Sequence, residues 1–259
     1  MRGMISSLIH LDLMTFALAI VVTIVAGIVK GAVGFAMPLI MISGLSILID
    51  PKLAIAAIIA PTLLSNGLQT FRYGLTDALA ALREFWRYLL MICIAISVAA
   101  QTVVLIPTNT LYLVLGFPVI MLSFIQLVGL NVHITSRQRA WTDWIVGLVT
   151  GTLGGLSASW GPPTVLYLLA IKAPKNRQIT IQGVIYGVGS IVFLMAHLKS
   201  GILNAESAPL SAFLVVPAFV GLWFGYKLQD RMNFVVFRRV TLVVLLLAGF
   251  NLIRRGILG

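Results

Sequence analysis

The feature that most restricts this chain is a series of apolar stretches, each about as long as a bilayer is thick, separated by short polar loops. Apolar runs of about 20 residues mark membrane-spanning helices, whereas barrel strands read as alternating segments of about ten. With 60% hydrophobic and only 10% charged residues, the chain has far more apolar surface than one soluble core hides. In hydrocarbon, every backbone polar group must be paired internally, and uninterrupted runs achieve that as helices. The expected fold is an all-α integral membrane protein with eight to ten membrane segments.

The net charge of +11 does not point to nucleic acid. Lys and Arg form short clusters between apolar runs, as the positive-inside rule expects of cytoplasmic loops. The single cysteine, Cys93, lies in an apolar run and is expected to pack in the core. Arg2 ahead of Leu13 to Val29 has the look of a signal peptide, but that stretch runs into a motif that recurs later, so it is read as a retained membrane segment.

The recurrence is the second strong constraint. GIVKGAVGFAMPL (27–39) and GTLGGLSASWGPP (151–163) align without a gap at an offset of 124 residues, pairing Gly27 with Gly151, Gly31 with Gly155 and Pro38 with Pro162. Pro51 and Lys52 pair with Pro174 and Lys175 at an offset of 123. Two membrane repeats are expected, 1–133 and 134–259, with the boundary in the basic loop NVHITSRQR. Each opens with a Gly/Pro-broken stretch (13–49; 141–171), followed by a helix (53–71; 179–198), a loop and two more helices (88–106 and 110–131; 208–227 and 236–253).

The 37 residues of 13–49 would span about 55 Å as one helix, against a hydrocarbon core of about 30 Å. Charge decides between one tilted helix and a hairpin. A single crossing divides Lys and Arg almost evenly. A hairpin puts Arg72, Arg83, Arg87, Arg137, Arg139, Lys172, Lys175, Arg177, Lys227, Arg231, Arg238 and Arg239 on one side, leaving Arg2, Lys52, Lys199, Arg254 and Arg255 opposite. The hairpin gives the bias that cytoplasmic loops show. It also gives an odd number of segments per repeat, hence inverted repeats, with both termini outside the cytoplasmic (inner) membrane. Trp86, Tyr88, Trp141, Trp144, Trp223 and Tyr226 are expected at the interfaces.

The broken stretches carry the candidate site. Gly27 and Gly151 read as small-residue contacts between helices. Gly31, Gly34 and Gly155 are expected to help break the helices, with Pro38 and Pro162 at the first position of the restarting segments, where proline fits. A restarting helix presents free N–H groups and the positive end of its dipole, and two such ends meeting near the midplane favour an anion. Gly161 flanks the second restart, and Ser157 and Ser159 add hydroxyl donors. Lys30, embedded in the first break, either supplies positive charge to the site or snorkels to the interface. Asn66 and Gln69 share one helix face with Thr62 and either line the cavity or pack between helices.

Gln101, Gln126 and Gln182 read as interhelical hydrogen-bonding groups, and His197, aligned with Tyr73, as interfacial. The seven acids (Asp12, Asp50, Asp77, Glu84, Asp143, Glu206 and Asp230) read as loop or flank residues. With no embedded carboxylate pair, no HExxH and no GK[ST] ending to the glycine pattern, the sequence offers no catalytic centre and calls for no metal or cofactor.

The paired Gly-rich segments, together with the ending GYKLQDRMNFVVFRRVTLVVLLLAGFNLI, resemble the TauE/SafE family of membrane permeases over nearly the whole chain. The resemblance implies a secondary transporter that exports sulfite, sulfoacetate or another organosulfonate, driven by protons. The chain departs from the family's denser glycine run at Lys30, Ala32, Val33, Phe35 and Ala36, and at Ser157, Ser159 and Trp160, where the substrate is expected. The alternatives are a carrier of another small carboxylate or oxyanion, and a non-transporting membrane anchor or scaffold subunit. The expected partners are the bilayer, a small anion and protons, with no nucleic acid.

Overall fold

A computed structural model describes residues 12–72, 74–129, 134–173, 175–229 and 233–258, and among them there are helices and no strands. Twelve α-helices follow in order: α1 (Leu13–Val33), α2 (Met37–Leu48), α3 (Pro51–Thr70), α4 (Leu75–Glu84), α5 (Trp86–Thr102), α6 (Thr108–Val128), α7 (Ser136–Ser157), α8 (Gly161–Ala170), α9 (Lys175–Lys199), α10 (Ala208–Phe213), α11 (Val215–Gln229) and α12 (Phe234–Leu258). Six stretches of described helix are long and apolar enough to cross a bilayer. Leucine, valine and phenylalanine side chains remain exposed all around the bundle. A soluble protein rarely exposes so much apolar surface, whereas here it faces lipid tails.

Both broken stretches are hairpins of one long and one short helix. Asp12 caps α1, its carboxylate accepting from Thr15 N–H at 2.9 Å. α1 ends at Gly34 and α7 at Ala158, each in the left-handed conformation (φ 82° and 54°), each with its N–H returned to the carbonyl four residues back at 2.7 Å. The ends of α1 and α7, the starts of α2 and α8, and the two left-handed caps all fall at the offset of 124 that aligns the sequence motifs. Gly44 of α2 folds back against Val22 of α1, and Ile134 N–H bonds to Ala170 O at 3.1 Å across the base of the second hairpin.

Glycines set the helix pairing. Gly27 lies against Ala218 and Leu222, and Gly31 against Leu222 and Tyr226, so α1 and α11 run parallel in contact along their backbones. α5 and α7 do the same, with Gly147 against Tyr88, Gly151 against Ile92 and Gly155 against Ile96. The first helix of each half therefore packs on the fifth of the other. α3 and α9 pair antiparallel, Asn66 facing Tyr186 and Thr70 facing Gly183. α6 and α12 are also antiparallel, Gly116 meeting Ile253 and Gly256 meeting Leu113.

Polar contacts gather segment ends. Glu84, at the end of α4, pairs with Arg139 of α7 (2.6 Å) and with Arg177 of α9. Arg255 of α12 donates to the Ser46 and Ile47 carbonyls (3.1 Å for Ile47) that end α2. Lys52 reaches Val104 O at 3.2 Å. The short α4 reads as loop in the sequence. It presents Leu75, Leu79 and Leu82 outward on one face, the pattern of a helix lying in the membrane interface.

Candidate functional site

The two breaks meet. Phe35, between α1 and α2, packs on Gly161, where a methyl group would stand 3.1 Å from the Phe35 Cβ. Around this contact lies a small, partly open cavity of about 10 Å³, walled by Lys30, Ala36 and Pro38 from the first hairpin, Ala158 and Trp160 from the second, and Tyr186 of α9. A space of this size holds about one water molecule, so a solute enters only as the walls of the two breaks move apart.

Lys30 is the central group. It lies four residues before the α1 cap and is 2% exposed, so it does not snorkel to water. Its Nζ donates to Asn66 Oδ1, and Asn66 Nδ2 in turn donates to Tyr186 O at 3.2 Å. The ammonium stands 5.7 Å from the centre of the Tyr186 ring, and the Tyr186 hydroxyl donates to Gly161 O at 3.3 Å. Among the described residues both ion pairs involve Glu84 and neither includes Lys30. Burying a cation costs heavily unless an anion or a full set of acceptors compensates it, and one amide oxygen and a ring face supply only part of that compensation.

The restarting helices place donors nearby. α2 begins after Ala36, which is left-handed (φ 78°) and makes no side-chain capping bond. Its first N–H groups are therefore open, apart from Pro38, which has none. Gln69 is buried with both amide atoms unpartnered, and its Nε2 would lie 3.6 Å from a methyl group at Gly34. Gln182 Oε1 flanks the same point at 3.3 Å. Thr62 Oγ1, on the Asn66 face of α3, is likewise buried and unpartnered. Ser157 and Ser159 hydroxyls bond to each other.

The structure brings Lys30, Pro38, Asn66 and Gly161 together, with Gly34 and Gln69 beside them. It corrects two readings. Gly31 and Gly155 do not break their helices: both lie inside them, three residues before the caps, each against the backbone of a partner helix, α11 and α5. Pro38 and Pro162 stand at the second, not the first, residue of their helices, which also lacks an intrahelical acceptor. Three further residues depart from expectation. His197 is fully buried, packed on Phe193, with Nε2–H donating to Gly155 O at 2.9 Å. Tyr88 is buried, not interfacial, and Asp143 is buried inside α7. Tyr73, with which His197 aligns, lies outside the described residues, as do His133 and Asp230. The sequence carried no sign of Tyr186, an aromatic on an apolar helix.

No curated protein and no solved structure matches the chain. A family model does: the one described as "Sulfite exporter TauE/SafE" matches residues 19–252, which include both breaks and every wall of the cavity. The chain is a multi-pass membrane protein belonging to the TauE/SafE sulfite exporter family.

Proposed function

We propose that the protein is a secondary carrier that exports a small sulfur-containing monoanion, sulfite in its singly charged hydrogen sulfite form or a short organosulfonate, across the cytoplasmic membrane. The observation that carries this reading is Lys30, a buried ammonium with no carboxylate partner among the described residues, set in a cavity where two helix breaks meet. An anion entering the cavity supplies the missing charge. A single ammonium favours one negative charge, and the open N–H groups of α2 and the Gln69 amide offer donors to the remaining oxygens. Aromatic and proline walls suit a short apolar body attached to the anionic head.

Alternating access fits the helix pairing. Third helices pair antiparallel with each other, sixth helices likewise, and first helices pack on fifth helices across the halves. A two-fold axis lying in the membrane plane produces this pattern, so we read the halves as inverted repeats. Glu84 links Arg139 with Arg177, which supports the hairpin reading, where both arginines lie on one side. With the positive-inside bias, we read both termini as lying outside. Rocking one hairpin against the other exposes Lys30 to each side in turn, with protons as the coupling ion.

Binding in detergent by calorimetry tests the site. Methanesulfonate and sulfite are expected to bind the wild-type protein competitively, and Lys30→Met to weaken both by about 30-fold or more. Equal affinity in wild type and Lys30→Met would remove Lys30 from the site.

A further inference from the structure

The second hairpin holds a buried acid that the anion site does not use. Asp143 of α7 is 2% exposed, and its carboxylate accepts from the Tyr167 hydroxyl of α8. It belongs to neither ion pair among the described residues; Arg139, one turn earlier, is engaged by Glu84 at 2.6 Å. The charged and titratable groups acting on it are Tyr167 from α8, Glu84 from α4, Arg87 and Tyr88 from α5, and Arg139 from α7 itself.

This acid is mechanically connected to the anion cavity. α7 and α8 are the two arms of the second hairpin, and the Asp143–Tyr167 bond joins them across 24 residues of chain that include the break. Tyr88 stacks on Tyr167 with ring centres 5.5 Å apart, and its hydroxyl touches Thr150 of α7 at 2.8 Å and Thr164 of α8 at 2.9 Å. Thr164 then donates to Trp160 O at 2.6 Å, inside the break and in the cavity wall. At the offset of 124, Asp143, Thr150, Thr164 and Tyr167 correspond to Ala19, Ala26, Ile40 and Ser43, and Lys30 corresponds to Gly154. The first hairpin holds the cation, and the second holds the acid with its hydroxyl network.

We propose that Asp143 is the proton-carrying residue of the carrier, and that Tyr167, as a positioning residue, transmits its protonation state to the second break. The inference rests on the anion-carrier reading. The ionised carboxylate holds Tyr167 through a charge-assisted bond, roughly twice as strong as a neutral one. Taking up a proton from one side forms one O–H bond on the carboxylate, removes its charge and weakens the tie between the hairpin arms. The break, and with it the Ala158–Trp160 wall, is then free to shift, and the proton leaves to the opposite side as the tie re-forms.

The test uses the full chain in proteoliposomes, with a trapped pH-sensitive dye for proton movement and counterflow of labelled methanesulfonate at equal pH for the anion. Wild type is expected to show both. Asp143→Asn retains counterflow and loses anion-driven proton movement to the level of protein-free liposomes, Asp143→Glu restores it, and Lys30→Met loses both. Tyr167→Phe keeps proton movement but lowers the number of protons moved per anion. Proton movement at the wild-type ratio in Asp143→Asn overturns the assignment. So does parallel loss of both activities in Asp143→Asn and Asp143→Glu, which would mark a structural acid. Wild-type counterflow without proton movement refutes the proton role alone, whereas no counterflow in wild type refutes the carrier reading and the assignment with it.

Discussion

Replacing Gly155 by alanine places a methyl group 2.8 Å from both the Ile96 carbonyl oxygen and the Ala99 Cβ, and 3.0 Å from the Ile96 Cα. Comfortable carbon contacts lie at about 3.5–4.0 Å. The obstacles are backbone atoms and an alanine, which have no rotamer to move into, so α5 and α7 must separate by several tenths of an ångström. Overpacking of this kind costs about 1–3 kcal/mol, and rigid neighbours put Gly155 near the top of that range. Alanine's better helix propensity returns up to about 1 kcal/mol. The net loss is about 2 kcal/mol, or about 4–8 °C in melting temperature for a chain of this size. Gly31→Ala, at the matching position of the first hairpin, meets Gly225 Cα and Tyr226 N at 2.8 Å and is expected to lose as much or more. Gly67→Ala is the contrast: nothing lies within 4 Å, so propensity alone acts and the variant melts at or above wild type. Intrinsic fluorescence melts and monodispersity in detergent measure all three. A Gly155→Ala protein as stable as wild type, or a Gly67→Ala protein that falls as far, would refute backbone contact as the reason for these glycines.

Lys30→Met removes the charge that the bound anion faces; loss of one partner of a buried pair costs about 2–5 kcal/mol, so methanesulfonate Kd should rise by about 30-fold or more in equilibrium binding. Glu84→Gln frees two arginines, but these side chains are 28–55% exposed, so the melting temperature should change little; a fall of ten degrees would show that the cluster bears far more of the fold than its exposure allows. Tyr88→Phe leaves the Thr150 and Thr164 hydroxyls facing a ring edge, at a cost of about 1–3 kcal/mol in thermal stability. On a Cys93→Ser background, single cysteines at Arg83 and Lys172 should react with an impermeant maleimide from the cytoplasmic face and one at Lys199 from the other; opposite faces for Arg83 and Lys172 would dismiss the hairpin.

The membrane class and the two broken hairpins were legible because they depend on local signals: apolar length, and glycine and proline spaced alike in both copies. The positions of the breaks were less so. Ala158 carries no mark of a left-handed cap, and Gly31 and Gly155 look like helix breakers until the partner helix beside each is known. Charge counting chose a hairpin, and Glu84 then joined two arginines that the single-crossing alternative separates. Within the site, Lys30 and Asn66 were recognisable as embedded polar groups, but their bond closes 36 residues of chain and exists only once the bundle is assembled. Asp143 sits early in a helix after a basic loop, which resembles a solvated flank. Its burial comes from Tyr167 on the other arm. The amphipathic α4 was passed over because ten residues are too few to span a bilayer.

Counterflow measures whether Lys30 and the two breaks form an anion site open to each side in turn. Proteoliposomes preloaded with unlabelled methanesulfonate should transiently concentrate the labelled anion added outside, and sulfite should compete. Lys30→Met proteoliposomes, with the protein folded and inserted, should show none. Equal accumulation by wild type and Lys30→Met, or none by wild type, would contradict such a site.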